Sequence, residues 1–181
     1  MLRETQRRLA LLAVVAIVAA GWAAAFNGTG VTPVATAAVA TQKVTGAHVA
    51  RCPFPAALRG AFEIAAADAS IPPAMLWAVA KVESNLHADA RSAAGARGLL
   101  QVMPATGRAL NLDIDEPTSN VLAGARYLRQ MLDRFHSSDL ALAAYNAGPT
   151  AVTVAGGAPS IEVQRYVSNV TQLWQSVVGC R

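Results

Sequence analysis

The sequence carries little charge. Only 14% of its 181 residues are charged, and 15 basic and 11 acidic residues give a formal net charge of +4 at pH 7. Residues 1–40 hold three of the basic residues and one of the acidic ones, which leaves 12 basic and 10 acidic residues in the rest of the chain. This weak positive charge gives no support to nucleic-acid binding, which needs a concentrated basic surface.

The chain also has few candidate metal ligands. Its three histidines, His48, His87 and His136, lack the spacing of a metal site. The acidic loop 111–116 lacks the ligand series and the glycine of an EF-hand. We therefore predict solvated histidines, a solvated acidic loop and no cofactor.

The N-terminal segment has the pattern of an export signal. Arg3, Arg7 and Arg8 precede an uninterrupted apolar run from Leu9 to Phe26. A run of this length is long for a signal peptide and short for a membrane span, so residues 1–28 are predicted to be a signal peptide or a membrane anchor. In both cases the positive-inside rule sends the rest of the chain across the membrane.

Residues 29–50 are rich in Thr, Ala, Val and Gly without a lasting period, and we predict a flexible linker. The domain is predicted to cover residues 51–181, with Cys52 and Cys180 at its two ends. Exported chains can oxidise such a pair, so we predict a disulfide between them. Two separate thiols are the alternative.

The domain is predicted to be all-α, because apolar residues recur at helical spacing and no convincing pair of strands is found. Ser119 or Asn120 is the predicted N-cap of the third helix, and Ser138 that of the fourth. Residues 104–107 are interpreted as a short helical turn or a break. The predicted helices cover residues 53–71, 73–84, 119–135, 140–145 and 160–178.

The helix that begins at Pro73 is central to the prediction. Its residues 74–80 are all apolar, and a helix that is apolar on every side is buried. Glu83 is thus delivered by a core element, and burial raises the pKa of a carboxyl group so that it can hold a proton near neutral pH. This is the property of a general acid. The alternative is that Glu83 is the first solvated residue after a core helix.

Three ordered motifs resemble those of the soluble lytic transglycosylase family. They are the segment 83–104, which starts with Glu-Ser and contains GARGLLQ, then AYNAGP at 144–149, and EVQRYV at 162–167. Two departures are visible, since His87-Ala88 replaces Asn-Pro and Leu100 replaces the usual Met. The resemblance covers roughly residues 53–174. It implies the goose-type-lysozyme-like helical fold.

The resemblance also implies an activity on peptidoglycan glycan strands outside the cytoplasmic membrane. Glu83 would protonate the β-1,4 bond between N-acetylmuramic acid and N-acetylglucosamine, then take a proton from the C6 hydroxyl as 1,6-anhydromuramoyl ends form. A second carboxylate is not needed, and pairing with Asp89 is unsupported. Two alternatives stay open: a lysozyme that adds water, and a non-catalytic peptidoglycan-binding domain, for example in an envelope-spanning assembly.

Further residues match the family's cleft positions, and most have a purely structural alternative. Ser84 could fix the acid or serve as a cap, Gln101 could bind sugar or brace its loop, and Tyr145 could stack on sugar or sit in the core. Glu162 and Tyr166 are expected beside the cleft, with an exposed pair as the alternative. The residues expected to bind or support the substrate are Ser84, Ser92, Gln101, Met103, Tyr145, Asn146, Glu162 and Tyr166.

Overall fold

The computed structural model describes residues 51–180. The predicted signal or anchor (1–28), the predicted linker (29–50) and His48 lie outside the described residues. A short 3-10 turn at Ala56–Leu58 precedes the helices. These are α1 Arg59–Asp68, α2 Pro73–Ser84, α3 Pro104–Leu110, α4 Pro117–Phe135, α5 Ser138–Ala147, α6 Pro149–Ala155 and α7 Ile161–Ser176.

The prediction of an all-α domain is confirmed. Between residues 51 and 180 the backbone forms no β-strand, and two isolated bridges join Arg91 to Arg97 and Arg97 to Val102. These bridges hold the long connection between α2 and α3 in a folded loop. No helix in this part of the chain has the length and apolar character needed to cross a membrane.

Helix α2 is buried on nearly all sides, as its apolar sequence predicts. Residues 74–80 are each at most 8% exposed. Pro73 occupies the first turn, where its missing N–H costs no hydrogen bond. Asn85 ends the helix in the left-handed conformation, with its N–H bonded to backbone carbonyls of the last turn. Glu83 therefore lies in the last turn of a core helix.

Helix α2 packs against α1 and α7, while α4 packs against α1 and α5, and α5 also contacts α7. On the outside, the guanidinium of Arg126 binds both carboxylate oxygens of Asp68 at 2.8 and 2.9 Å, which connects α4 to α1. This arrangement brings α2, α5 and α7 to one place, and each of the three contributes a residue to the site described below.

The predicted N-cap of α4 is wrong. Glu116 is the N-cap, and its carboxylate accepts the N–H groups of Thr118 and Ser119. Pro117 suits the first helical position, which places Ser119 and Asn120 already inside the first turns. Asn120 is fully buried, so it is not available as a solvent-facing cap.

The predicted N-cap of α5 also differs by one residue, and two prolines begin short helices. Ser137, one residue before Ser138, caps α5 and accepts the N–H of Leu140. Pro104 and Pro149 begin the short helices α3 and α6. At Pro104 the sequence predicts a short helical turn or a break, and the helical alternative is observed. At Pro149 it predicts the end of the preceding helix, which ends at Ala147, but not the new helix that follows. Both prolines occupy the first helical position, where proline is favoured.

The predicted disulfide between Cys52 and Cys180 is confirmed. The two Cα atoms are 4.8 Å apart and 128 residues apart in sequence, and both side chains are buried. Beside the bridge, the indole N–H of Trp77 donates to the carbonyl of Pro53 over 3.1 Å. The start of the domain is therefore fastened both to its C-terminal end and to the helix that carries Glu83.

Candidate active site

A cavity of about 350 Å³ opens beside the carboxyl group of Glu83. Glu83 is partly buried, at the boundary between the core and the cavity. Within the described residues, no other carboxylate lines this cavity. Its lining consists of Glu83, Ser92, Ala94, Ala96, Gln101, Met103, Tyr145 and Asn146.

Burial raises the pKa of Glu83 from 4.5 to about 7. A hydrogen bond from the hydroxyl of Tyr166 to Oε1, 2.7 Å long, has the opposite and smaller effect on this pKa. The desolvation effect dominates because the carboxylate loses its hydration at the end of a core helix. At neutral pH the group is close to its midpoint, so it can both release and accept a proton.

Tyr166 comes from α7 and is buried, with 8% of its surface exposed. Burial and the neighbouring Glu83 raise the pKa of its phenol well above 10, so the hydroxyl remains a hydrogen-bond donor. The structure thus places Tyr166 against Glu83, and its contact with the cavity is made through that carboxyl group.

Tyr145, from α5, has a dual position. Its side chain lines the cavity, but its hydroxyl donates to the carbonyl of Leu100 over 2.7 Å. The residue is 8% exposed and belongs to the hydrophobic core cluster. The structural alternative for Tyr145 therefore holds for the hydroxyl, while the ring borders the cavity.

Ser84 does not face the cavity, contrary to its expected role in substrate binding. Its side chain is buried, and its hydroxyl lies 2.8 Å from the carbonyl of Leu99 and 3.1 Å from that of Ala80. Neither contact involves the Glu83 carboxyl group. Ser84 instead attaches the end of α2 to the loop that forms the cavity floor.

The segment 97–103, hereafter the floor loop, carries Gln101 and Met103. The amide of Gln101 donates to the carbonyls of Ala90 and Gly98 at 3.1 and 2.8 Å, so the bracing alternative is observed even though the residue also lines the cavity. Met103 is 42% exposed, which leaves its thioether available to a bound molecule. On the opposite rim, the Ser92 hydroxyl accepts the N–H of Ala96 at 3.0 Å.

A second cavity of about 250 Å³ continues the first. The two share Gln101, Met103, Tyr145 and Asn146 in their linings, and the second extends towards Tyr127. Together they form an elongated cleft with Glu83 in one half. Asn146 is exposed where α5 ends, so its amide can reach a ligand in either half.

Two acidic residues lie outside this cleft. Glu162 is exposed on the first turn of α7, where hydrogen bonds from Ser160 and its own backbone lower the pKa of its carboxyl group. Asp89 lines a separate groove with Arg91, Arg97 and Asp115. The structure therefore brings neither Glu162 nor Asp89 into the cavity beside Glu83.

The acidic loop and the histidines form no metal site within the described residues. Asp115 pairs with Arg91 at 3.0 Å and with Arg97 at 2.6 Å, while Glu116 caps α4. These carboxylates are thus used in contacts within the protein.

Sequence reasoning missed Asn120, which contacts the floor loop from below. Its amide makes three hydrogen bonds to backbone groups, of Arg97, Leu100 and Ile114. The sequence signal for this role is a polar residue on the apolar stripe of α4, next to Val121. The same residue also fits the pattern of an N-cap, which is the role that the sequence predicts. Its partners are up to 23 residues away in sequence, so no local pattern identifies them.

Comparison with known proteins agrees with this fold. The family model of the Transglycosylase SLT domain matches residues 60–162. The transglycosylase of Enterobacteria phage PRD1 is 38% identical over 85 residues, which cover 46% of this chain and 32% of that protein. The soluble lytic murein transglycosylase of Escherichia coli K12 is 29% identical over 143 residues, covering 65% and 22%.

Solved structures show the same helical architecture. Lytic transglycosylase Slt from Pseudomonas aeruginosa, an inactive mutant, superposes with a TM-score of 0.60 at 29% identity, covering 71% of this chain and 25% of that one. The 70 kDa soluble lytic transglycosylase from Escherichia coli gives a TM-score of 0.59 at 26% identity, covering 70% and 25%. This chain therefore matches a third or less of the length of these larger proteins.

These observations define a lysozyme-like helical domain with a partly buried carboxyl group beside a cleft. The chain belongs to the Transglycosylase SLT domain family.

Proposed function

We propose that the protein is a peptidoglycan lytic transglycosylase. It cleaves the β-1,4 bond between N-acetylmuramic acid and N-acetylglucosamine and leaves 1,6-anhydromuramoyl ends. The observation that carries this proposal is the Glu83 carboxyl group, whose pKa is about 7, in a cavity with no other carboxylate among the described residues. Family membership supports the choice of substrate.

In the proposed reaction, protonated Glu83 donates its proton to the bridging oxygen as the bond from that oxygen to C1 of the muramoyl residue breaks. The resulting Glu83 carboxylate then removes the proton from the C6 hydroxyl, whose oxygen bonds to C1. Glu83 is protonated again at the end, and no water is consumed. A pKa near 7 suits this sequence, because the same group must act first as an acid and then as a base.

We assign the residues of the cleft two roles: some contact the sugar, and others position the floor loop or Glu83. Gln101, Met103, Ser92 and Asn146 are proposed to contact sugar, since all four line the cavity. Tyr145 is proposed to present its ring to the sugar while its hydroxyl holds the floor loop. Ser84 and Tyr166 act as positioning residues, the first on the loop and the second on Glu83. We assign no substrate contact to Glu162, which is exposed on α7.

The lone carboxylate bears on the choice between transglycosylase and lysozyme. Glycosidases that add water usually pair the acid with a second carboxylate about 5–10 Å away. Asp89, the candidate nearest in sequence, lines a different groove. Intramolecular closure by the C6 hydroxyl needs only one carboxylate and benefits from a high effective concentration.

We also propose that residues 1–28 export the chain as a signal peptide or membrane anchor, with 29–50 as linker and 51–181 as the catalytic domain. The disulfide supports an oxidising, extracytoplasmic location. Membrane attachment has a precedent among similar proteins: a membrane-bound lytic murein transglycosylase F from Cellvibrio japonicus is 38% identical over 96 residues, covering 49% of this chain and 19% of that protein.

The test is mass spectrometry of purified peptidoglycan digested with the native protein and with Glu83→Gln. Native protein is expected to give 1,6-anhydromuramoyl ends, and Glu83→Gln should reduce turnover by about 10²–10⁴-fold because it cannot donate the proton. Reducing ends as the main product would instead identify a lysozyme. Glycan binding without any product, equal for both proteins, would identify a non-catalytic binding domain.

A further inference from the structure

The side chain of Asn120 is completely buried beneath the floor loop. Its Oδ1 accepts the N–H of Leu100 at 2.9 Å, and its Nδ2 donates to the carbonyls of Arg97 and Ile114 at 2.8 and 2.9 Å. Both donor hydrogens and one acceptor position of the amide are therefore used. All three partners are backbone groups, and the Leu100 and Ile114 contacts are buried.

The same loop is held from two other helices. Ser84 of α2 contacts the carbonyl of Leu99 at 2.8 Å, and Tyr145 of α5 donates to the carbonyl of Leu100 at 2.7 Å. Together with Asn120 of α4, side chains from three helices thus form hydrogen bonds with the backbone of residues 99 and 100. The next residue along the chain is Gln101, which lines the cavity beside Glu83.

The loop leaves no free space around Asn120. A Cβ atom added to Gly98 would lie 2.5 Å from Nδ2 of Asn120, and Gly98 has a φ of +72° that favours glycine. One turn along α4, a Cβ added to Gly124 would lie 2.4 Å from Cβ of Leu100. Because α4 packs this closely against the loop, the hydrogen bonds of the Asn120 amide determine the distance between the floor loop and α4.

We propose that Asn120 is a positioning residue for the reaction, acting through all three bonds of its amide. It fixes the floor loop relative to Glu83, and so aligns the sugar carried by Gln101 and Met103 with the acid. This inference rests on the proposed function. A misplacement of about 1 Å at a reacting centre can cost about 10²-fold in rate, whereas substrate affinity is spread over both halves of the cleft.

Substitutions of Asn120 should therefore lower kcat more than they change KM. Asn120→Ala removes all three bonds, and kcat should fall at least about tenfold while KM changes less than about threefold. Asn120→Asp keeps the shape and the acceptor for Leu100, but it supplies at most one donor for two carbonyls. Its kcat should lie above that of Asn120→Ala and more than about twofold below that of the native protein.

The matched control is Leu128→Ala, a truncation of a fully buried side chain on the same helix that lines neither half of the cleft. It should lower the melting temperature but keep kcat and KM within about twofold of the native values when measured well below melting. All four proteins are assayed on soluble glycan strands from peptidoglycan, and folding is verified by circular dichroism and thermal melting.

Two results would overturn the positioning role. One is a kcat for Asn120→Asp within about twofold of native, which decides the question even if Asn120→Ala does not fold. The other is an equal loss of kcat in Leu128→Ala, which would assign the effect to general destabilisation. In both cases an active native protein leaves the proposed function intact. A native protein that yields no glycan product overturns the proposed function and, with it, the role of Asn120.

Discussion

The hydroxyl of Tyr166 donates a hydrogen bond to Oε1 of Glu83 over 2.7 Å, and this bond connects the last helix of the domain to the proposed catalytic acid. The bond favours the ionised carboxylate and so works against the burial that raises the pKa of Glu83 to about 7. The pKa of Glu83 is therefore set by the balance between burial and the hydrogen bond from Tyr166.

Tyr166→Phe tests this balance. It removes the hydrogen bond but keeps the ring and the burial, so the pKa of Glu83 should rise further above about 7. The alkaline limb of the kcat/KM profile reports deprotonation of the acid and should move to higher pH. Tyr127→Phe, the same substitution in a residue that makes no hydrogen bond to Glu83 among those described, is the control. An unmoved limb, or one that moves to lower pH, would contradict the assigned balance.

The raised pKa of Glu83 should also make stability depend on pH. The group has a pKa of 4.5 when exposed and about 7 in the folded chain, so folding takes up a proton between these values. Its contribution is favourable below pH 4.5 and is lost as pH rises through about 7.

Glu83→Gln removes this dependence. At about pH 8 the variant should be more stable than the native protein by about 3 kcal/mol, and at about pH 4 the two should be nearly equal. Urea unfolding at both pH values measures the difference. Glu63→Gln, at a carboxyl group whose side chain is 48% exposed, is the matched control substitution. A native-like pH dependence in Glu83→Gln would mean that another group is responsible.

Tyr145→Phe should affect stability as well as turnover. Loss of the hydroxyl leaves the carbonyl of Leu100 without its side-chain partner in a buried place, which costs about 1–3 kcal/mol. Thermal melting measures this cost, with Tyr127→Phe as the comparison because its ring lies 5.3 Å from that of Tyr145. Equal melting temperatures for native protein and Tyr145→Phe would show that the bond to Leu100 contributes nothing.

Removing the disulfide should destabilise the domain strongly. The bridge closes a loop of 128 residues, for which the chain-entropy treatment gives about 4–5 kcal/mol. The double variant Cys52→Ser, Cys180→Ser should melt at a lower temperature, and reductant should shift the native protein towards it. Reductant should leave the double variant unchanged. A native protein insensitive to reductant under unfolding conditions would speak against this contribution.

The main features of the domain could be predicted because local signals carry them. The apolar run before Glu83 fixes a buried helix, and the positions of Cys52 and Cys180 at the domain's ends indicate their pairing. Helix boundaries near proline are not decided by the local sequence. Pro104 and Pro149 can end one element or begin another, and which occurs depends on what packs around them.

The details of the site depend on tertiary contacts that no local pattern specifies. Ser84 could have faced Glu83, but the carbonyl of Leu99, fifteen residues away, takes its hydroxyl. Asn120 could have been a cap, but a loop twenty residues earlier buries it. In both cases the sequence identifies a polar residue at a helix end, and only the fold decides which buried backbone group it satisfies.

The bond between Cys52 and Cys180 makes residues 52–180 a covalently closed ring. A ring survives one cut in its backbone as a single molecule. If a protease cleaves after the exposed Gly156, the pieces on either side stay joined, and the helix carrying Glu83 remains attached to the helix carrying Tyr166. In a protease-containing envelope or medium, nicking of this domain would therefore release no fragment until the bridge is reduced or a second cut is made.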